Sequence, residues 1–316
     1  AQDDEIKFLA RKFCLTHSLW VPDEILLRKS PPNVDLLSKE RWKSAKAIED
    51  GLTAELWGFM PSQLHQFMGF DRFKGVFQHA LTSARSSAVH EVKKSAGLAF
   101  NINPLVLSGN RLESPECLAL IRGDDGEYTR FAPALFKDPK NCRPQDFLIS
   151  DIMVRVLKLM IQGGSSLNRA DKPNTGGARS KAKLWAIQSV TAGLIASSGV
   201  IAVFCLSADE SFNPKGAQTG IDYRYYHNYF REHLLTSPSA QRIYTFYNNA
   251  LFPGSCATTA HASTSAPSTW ESRMEQLVAG FTLHEEPALG ADTNNVTRTL
   301  YIIRLTGTSR ELVSGG

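Results

Sequence analysis

The sequence predicts a mainly α-helical fold, a single multi-helix globular domain built around a central pair of buried helices. Three observations support this fold class. First, residues 184–206 are 23 positions without a single charged side chain. Second, apolar residues recur at helical spacing through most of the other segments. Third, only the stretch R-T-L-Y-I-I-R-L near the C-terminus has the β-branched and aromatic character of a strand.

The charge-free stretch is long enough to be tested as a membrane span, because about 20 apolar residues cross a bilayer. It is interrupted by serines and glycines, and Thr191 is suited to cap a helix that begins at Ala192 and ends at Leu206. Such a helix is about 22 Å long, which is short for the hydrocarbon core. We therefore expect the central helix of a soluble domain and no membrane partner.

A second helix directly precedes this stretch, in D-F-L-I-S-D-I-M-V-R-V-L-K-L-M-I-Q-G-G. Either Ser150 or Asp151 can cap its N-terminus, and Gly163 stands where a left-handed C-cap belongs. Its apolar stripe at helical spacing consists of Ile152, Val156, Leu159 and Met160. The two helices together make the predicted core pair.

Periodicity and capping residues predict further helices on both sides of this pair. They cover residues 4–18, a segment capped by Ser38 that runs through Leu52, a long segment capped by Asp71, a segment capped by Asp222, and residues 238–251. The Asp222 segment is rich in tyrosine, and its inward stripe is predicted to be Tyr223, Tyr226, Phe230 and Leu234.

Composition is that of an ordinary globular protein. The chain has 316 residues, 42% of them hydrophobic and 21% charged, and a net charge of +4. That charge is too small to indicate nucleic-acid binding without a local basic patch. Low-complexity composition divides the chain into an N-terminal helical extension (1–37), a helical core domain (38–253), a Ser/Thr-rich linker (254–269) and a C-terminal extension (270–316).

The cysteines and the N-terminal residues favour an intracellular protein, cytoplasmic or nuclear. Five cysteines are scattered without a C-x-x-C pair, which is typical of reduced thiols and not of a disulfide framework. The first residues, A-Q-D-D-E-I-K, lack the apolar region of a signal peptide.

Motifs that would indicate a catalytic, nucleotide or metal site are missing from the sequence. There is no G-x-S-x-G, H-E-x-x-H, G-x-x-x-x-G-K-[ST] or G-x-G-x-x-G. The turn G-D-D-G-E-Y lacks the ligand pattern of a calcium loop. His284 begins an H-x-[DE] pattern, but an iron site of that kind needs strands to bring in a second histidine. We expect no metal and no cofactor.

Several stretches of the central block resemble an uncharacterised family, a domain of unknown function found in mushroom-forming fungi. They are F-A-P-A-L-F, the helix that ends Q-G-G, W-A-I-Q-S-V-T-A-G-L-I-A, L-S-A-D-E-S-F and G-I-D-Y. The resemblance covers roughly residues 40–253. It implies an α-helical soluble domain and supplies no catalytic residue.

Asp209 and Glu210 are the best candidates for catalytic residues, together with His227. The two carboxylates follow the apolar helix at its C-terminal end, where the helix dipole disfavours anions. A cation is therefore expected beside them, supplied by one of three residues: Arg85, Arg224 or His227. A buried ion pair that fixes the turn and an acid–base site would both account for this arrangement.

Basic residues indicate a candidate anion-binding face. Arg224, His227 and Arg231 fall on one helical stripe, and Arg179, Lys181 and Lys183 lie in or beside the basic loop before the central helix. With Tyr225 or Tyr229 exposed, such a face could make phosphate contacts and stack bases. An ordinary solvated surface would show the same pattern.

Two functions remain open at this point. The first is a non-enzymatic interaction or scaffold module with a nucleic-acid, other anionic or protein partner. The second is an enzyme of hydrolase or transferase type that uses Asp209 or Glu210 in a cleft. A pocket where both carboxylates meet His227 would favour the enzyme, and a continuous positive face would favour the binding module.

Overall fold

The architecture comes from a computed structural model, which describes residues 2–167 and 180–253. Arg179, the predicted linker at 254–269 and the predicted C-terminal extension at 270–316 lie outside the described residues.

The described residues form thirteen α-helices and no β-strand, which confirms the mainly helical fold class. The helices are α1 (Gln2–Thr16), α2 (Asp23–Leu26), α3 (Ala45–Phe59), α4 (Ser62–His65), α5 (Asp71–Lys94), α6 (Ala96–Phe100), α7 (Pro104–Ser108), α8 (Pro115–Ile121), α9 (Asp151–Gln162), α10 (Lys181–Leu184), α11 (Ala192–Leu206), α12 (Tyr223–Thr236) and α13 (Ala240–Leu251). Short 3₁₀ helices cover Lys39–Trp42, Pro133–Leu135, Pro144–Asp146 and Gly164–Ser166.

Helix α11 is the centre of the fold. All of its residues are buried, and it packs against α1, α5, α8, α9 and α12. A helix that is apolar on all sides is removed from water only when other elements of the fold surround it. The predicted core pair is therefore confirmed as α9 and α11. Within the described residues, no helix is long and apolar enough to cross a membrane.

Side-chain caps fix where the central helices begin. The hydroxyls of Ser150 and Thr191 accept the backbone N–H groups of Met153 and Leu194, and Asp222 caps α12 in the same way. Each cap satisfies an N–H that has no partner inside the helix. These three starts agree with the sequence analysis, and Ser150 is the residue that caps α9.

The end of α1 and the start of α11 approach each other closely. The hydroxyl of Thr191 donates to the Thr16 carbonyl oxygen at 2.5 Å. A Cβ atom on Gly193 would lie 2.3 Å from that oxygen and 2.6 Å from the Cα of His17. Only glycine fits there, and α1 consequently packs into the same hydrophobic core, in contact with α5 and α11.

The predicted helix from Ser38 to Leu52 is wrong in its first turn. Ser38 caps only the 3₁₀ helix, and Ser44 caps α3 by accepting the N–H of Ala47. Two serines six positions apart both satisfy the cap pattern. A 3₁₀ helix therefore begins after Ser38 and a separate α-helix, α3, begins after Ser44.

Candidate functional site

One face of α12 carries three polar side chains into the core. Tyr223, His227 and Arg231 follow each other at intervals of four residues and are all buried. This spacing places them on one side of the helix. Each meets a different part of the fold, so α12 is tied to the core by three separate polar contacts.

Tyr223 meets Asp209, the first predicted catalytic residue, which is 1% exposed. Four donors surround this carboxylate. Oδ1 accepts the N–H groups of Gln218 and Thr219 at 2.8 and 3.2 Å, and Oδ2 accepts the hydroxyls of Thr219 and Tyr223 at 2.5 and 2.7 Å. Burial raises the pKa of Asp209, but these hydrogen bonds outweigh it and hold the pKa below its usual value. The carboxylate is therefore charged and fully occupied in holding the 209–223 turn.

Two cations lie at the C-terminal end of α11, Arg111 and Lys93, whose Nζ is 4.5 Å from the Phe204 ring. Arg111 makes the hydrogen bonds and donates to the backbone carbonyl oxygens of Ser207 and Asp209. The three residues predicted for this role lie elsewhere: Arg224 is exposed, His227 is bonded to α11, and Arg85 donates to the Leu19 carbonyl. The last carbonyl groups of a helix carry partial negative charge and attract a cation. Arg111 therefore offsets the negative charge at this helix end by bonding to carbonyl oxygens and not to the carboxylates.

Glu210 and His227 do not join Asp209 in one accessible site. Glu210 is exposed, whereas Nε2 of His227 lies 3.2 Å from the buried Ser197 hydroxyl. Burial lowers the pKa of His227 well below its usual value, and the nearby Arg231 lowers it further. The imidazole is thus a neutral group inside the core, one turn along α12 from the tyrosine that bonds Asp209.

Arg231 belongs to a buried ion-pair cluster. Its Nη2 lies 2.6 and 2.5 Å from the two carboxylate oxygens of Glu55, and Nη1 of Arg41 lies 2.9 Å from Oε1 of the same residue. Both guanidinium groups also lie against the Trp42 ring, at 5.6 and 4.6 Å from its centroid. Arg231 is 2% exposed and cannot contribute to an anion-binding surface.

The remaining predicted binding residues are dispersed. The ammonium group of Lys181 is buried, and burial lowers its pKa while Glu91 on α5 counteracts the shift. Lys183 and Arg224 are exposed. Of the predicted basic stripe on α12, only Arg224 faces the solvent.

The outward side of α12 instead forms a surface with the irregular segment at 130–131. We call Arg130, Phe131, Tyr225 and Tyr229 the arginine–aromatic face. Phe131 is 40% and Tyr225 46% exposed, whereas Arg130 and Tyr229 are half-buried. The face brings together two tyrosines that the sequence singled out and two residues that it did not.

Arg130 is the centre of this face. Its guanidinium carbon lies 4.3 Å from the Tyr229 ring centroid, 5.1 Å from Phe131 and 5.8 Å from Tyr225. Its Nη1 donates to the Tyr225 hydroxyl oxygen at 2.5 Å. Because the hydroxyl accepts this bond, its own O–H remains available as a donor beside the positive charge.

The core beneath the face holds the rings in place. Phe131 and Tyr229 are in edge contact, with centroids 5.7 Å apart, and Phe131 also meets the buried Phe147 at 5.1 Å. Phe147 in turn packs on Phe230 of α12. The exposed rings are therefore backed by rigid packing, which lowers the entropy lost when a ligand stacks on them.

Among the residues that the structure describes, no group of three or more histidine, cysteine, aspartate or glutamate side chains could hold a metal ion. The groups that the arginine–aromatic face offers to a ligand are a guanidinium and aromatic rings. The signal that could have located Arg130 and Phe131 is the run Y-T-R-F, where a cation alternates with aromatic residues.

A comparison with protein families matches one part of the chain. Residues 119–252 match a family of unknown function, DUF6698. The match ends where the resemblance in the sequence ended, and it begins at α8, well after residue 40. No curated protein and no solved structure matches the chain.

The DUF6698 region contains the whole arginine–aromatic face and the Asp209 turn. It also contains α9, α11, α12 and α13, the helices that build the centre of the fold. Helices α1 and α3, with the Glu55 partner of Arg231, lie outside the matched residues.

Proposed function

We propose that this protein is a non-enzymatic binding module and that its arginine–aromatic face binds single-stranded nucleic acid. The observation that carries the proposal is the packing of Arg130 on Tyr229 with the Tyr225 hydroxyl at hydrogen-bond distance. A fixed guanidinium and a free phenolic O–H suit a phosphate oxygen. Exposed rings beside them suit an unpaired base.

The positive charge of the face itself comes from Arg130. Around it the charges balance, since residues 119–147 contain five basic side chains (Arg122, Arg130, Lys137, Lys140, Arg143) and five acidic ones (Asp124, Asp125, Glu127, Asp138, Asp146). An anionic partner would therefore be held by Arg130 and the Tyr225 hydroxyl, not by a broad positive field. Helix α12 adds the exposed Arg224 and, at its N-terminus, the exposed Asp222 that caps it.

Single strands fit this surface better than duplexes. Stacking needs a base whose face is open, and a duplex buries both faces of every base. The exposed rings belong to a short loop and the side of one helix, which makes a small platform. Such a platform reads few base edges, so we expect weak sequence preference.

The hydrolase or transferase alternative receives no support from the predicted residues. Asp209 is enclosed by four donors, Glu210 is exposed, and His227 is buried against α11. These three side chains offer no common point at which a substrate would meet both a carboxylate and the imidazole.

Fluorescence anisotropy with a labelled single-stranded oligonucleotide tests the proposal. We expect Tyr225→Ala to weaken binding about tenfold, because one stacked base contributes about 1–3 kcal/mol. We expect Arg130→Ala to weaken binding and to lower the slope of log K against log salt by about 0.7, the contribution of one phosphate contact.

The matched control is Arg72→Ala on α5. Arg72 is 81% exposed and pairs with Asp3 of α1, so its loss removes a surface charge away from the face. Its binding should equal that of the wild-type protein. Wild-type protein that does not bind at low salt, or that loses equal affinity in the control and the face variants, would refute the proposal.

A further inference from the structure

A pair of arginines close to the face shares one buried carboxylate. The side chain of Asp146 is 2% exposed, whereas those of Arg143 and Arg242 are 52% and 55% exposed. Oδ2 of Asp146 accepts Nε and Nη2 of Arg143 at 2.8 and 2.5 Å, and Oδ1 accepts Nη2 of Arg242 at 2.8 Å. Nη1 of Arg242 donates to the Gln145 carbonyl at 3.2 Å.

This arrangement fixes more positive charge than the carboxylate neutralises. Two guanidinium groups against one carboxylate leave a net charge of one, held at the surface in a defined position. Arg143 uses Nε and Nη2 on Asp146, which leaves Nη1 for another acceptor. Arginines that are already ordered lose little entropy when they bind an anion, and planar guanidinium groups match phosphate oxygens well.

The carboxylate that this pair shares is one residue along the chain from the rings that support Arg130. Phe147 directly follows Asp146, and its buried ring lies 5.1 Å from Phe131, the ring next to Arg130. Phe147 is also 6.4 Å from Tyr229, on which Arg130 stacks. Both cationic positions lie within residues 119–252.

We infer that Arg143 and Arg242 form a second phosphate-binding site, which takes a backbone phosphate of the strand whose bases stack beside Arg130. This inference rests on the proposed function. It adds that the ligand must be long enough to reach both positions. A phosphate bound at Arg130 and another at the arginine pair would place the intervening nucleotides across Phe131.

The test compares oligodeoxythymidines of two lengths, about three and about ten nucleotides, at low salt. In the wild-type protein the longer strand should bind at least tenfold more tightly than the shorter one. Arg143→Ala and Arg242→Ala should each remove most of that difference and leave the affinity for the short strand within about twofold. Arg130→Ala should weaken both strands.

Two further variants keep the result interpretable. Arg143→Lys retains a cation for Asp146 but lacks the planar fork, so it should keep the wild-type melting temperature and lose part of the length effect. Arg72→Ala should change neither strand. Polyglutamate serves as a competitor, because an acidic protein partner would offer carboxylates in place of phosphates.

The outcomes separate the two claims. A length effect that survives both alanine variants would overturn the second site and leave the proposed function standing. Absence of binding to either strand by the wild-type protein would overturn the proposed function itself. Displacement of the long strand by polyglutamate as efficiently as by unlabelled oligonucleotide would assign the pair to an acidic protein and overturn the inference.

Discussion

Arg231 of α12 and Glu55 of α3 form an ion pair inside the protein, although they are 176 positions apart in the chain. Nη2 of Arg231 lies 2.6 and 2.5 Å from the two carboxylate oxygens. Arg41 reaches the same carboxylate from the preceding 3₁₀ helix. One anion therefore serves two buried cations that come from different parts of the sequence. Glu55 is the residue on which this cluster depends.

Replacing Glu55 with glutamine should lower the free energy of unfolding by about 3–5 kcal/mol, because two buried arginines would lose their counter-ion. Asp50→Asn on the same helix is the matched control, since Asp50 pairs with Arg28 and Lys46 nearer the solvent. That change should cost less than about 1 kcal/mol. Urea denaturation at neutral pH measures both, and equal losses would argue against a dominant role for the buried cluster.

Acid should destabilise the protein in two stages. Burial lowers the pKa of His17 from 6.5 to about 3, and burial also lowers that of His227. As pH falls below 6.5, the unfolded chain takes up protons that the folded protein does not, so stability decreases. His17 alone should cost about 2 kcal/mol between pH 7.5 and pH 5.

The second stage comes from Glu55. Burial raises its pKa, but Arg231 and Arg41 lower it to about 2. Its contribution is complete above the usual value of 4.5 and is lost as pH falls from there towards 2. Urea denaturation across this range measures both stages, and His227→Gln should reduce the slope of the first. Stability that stays constant from pH 7.5 to pH 5 would contradict the neutral buried histidines.

Two glycine-to-alanine changes should have opposite effects. At Gly193 the new Cβ would lie 2.3 Å from the Thr16 carbonyl oxygen, so the contact between α1 and α11 must open and stability must fall. At Gly75 on α5 nothing lies within 4 Å, and alanine should stabilise the helix by up to about 1 kcal/mol. Thermal unfolding compares the two variants, and a neutral Gly193→Ala would contradict the close approach.

Asp209→Asn should destabilise the protein by about 2 kcal/mol or more, since an amide group cannot accept all the hydrogen bonds that now reach the carboxylate. Tyr223→Phe removes one of these donors and should cost less. Glu210→Gln is the neighbouring control, exposed and expected to change stability by no more than about 0.5 kcal/mol. A stable Asp209→Asn protein would show that the carboxylate does not hold the turn.

Local chemistry made much of the fold predictable. Ser150, Thr191 and Asp222 each bond to an N–H group three residues away, so the signal for each helix start lies within a few positions. The burial of α11 follows from its composition alone. Ser38 misled the prediction because a second serine, Ser44, offers an equally good cap.

The candidate site was less predictable for physical reasons. Helical spacing shows that His227 and Arg231 share a stripe, but it does not reveal that Ser197 and Glu55 are there to pair with them. The fold turned that stripe inward and left Tyr225 outside. Arg130 comes from an irregular segment without periodicity; the run Y-T-R-F marks it as a candidate, but only the folded protein shows that it stacks on Tyr229.

Ultraviolet cross-linking of an oligodeoxythymidine to the wild-type protein tests the central claim most directly, because it identifies the residues that a bound base touches. Trypsin would release the three rings of the face in two peptides, residues 131–137 and 225–231, since Arg130 and Arg224 precede them. We predict that cross-linked nucleotide is found on these two peptides and is lost from them in Tyr225→Ala. Cross-links confined to other peptides, or absent at low salt, would contradict single-stranded nucleic-acid binding by the arginine–aromatic face.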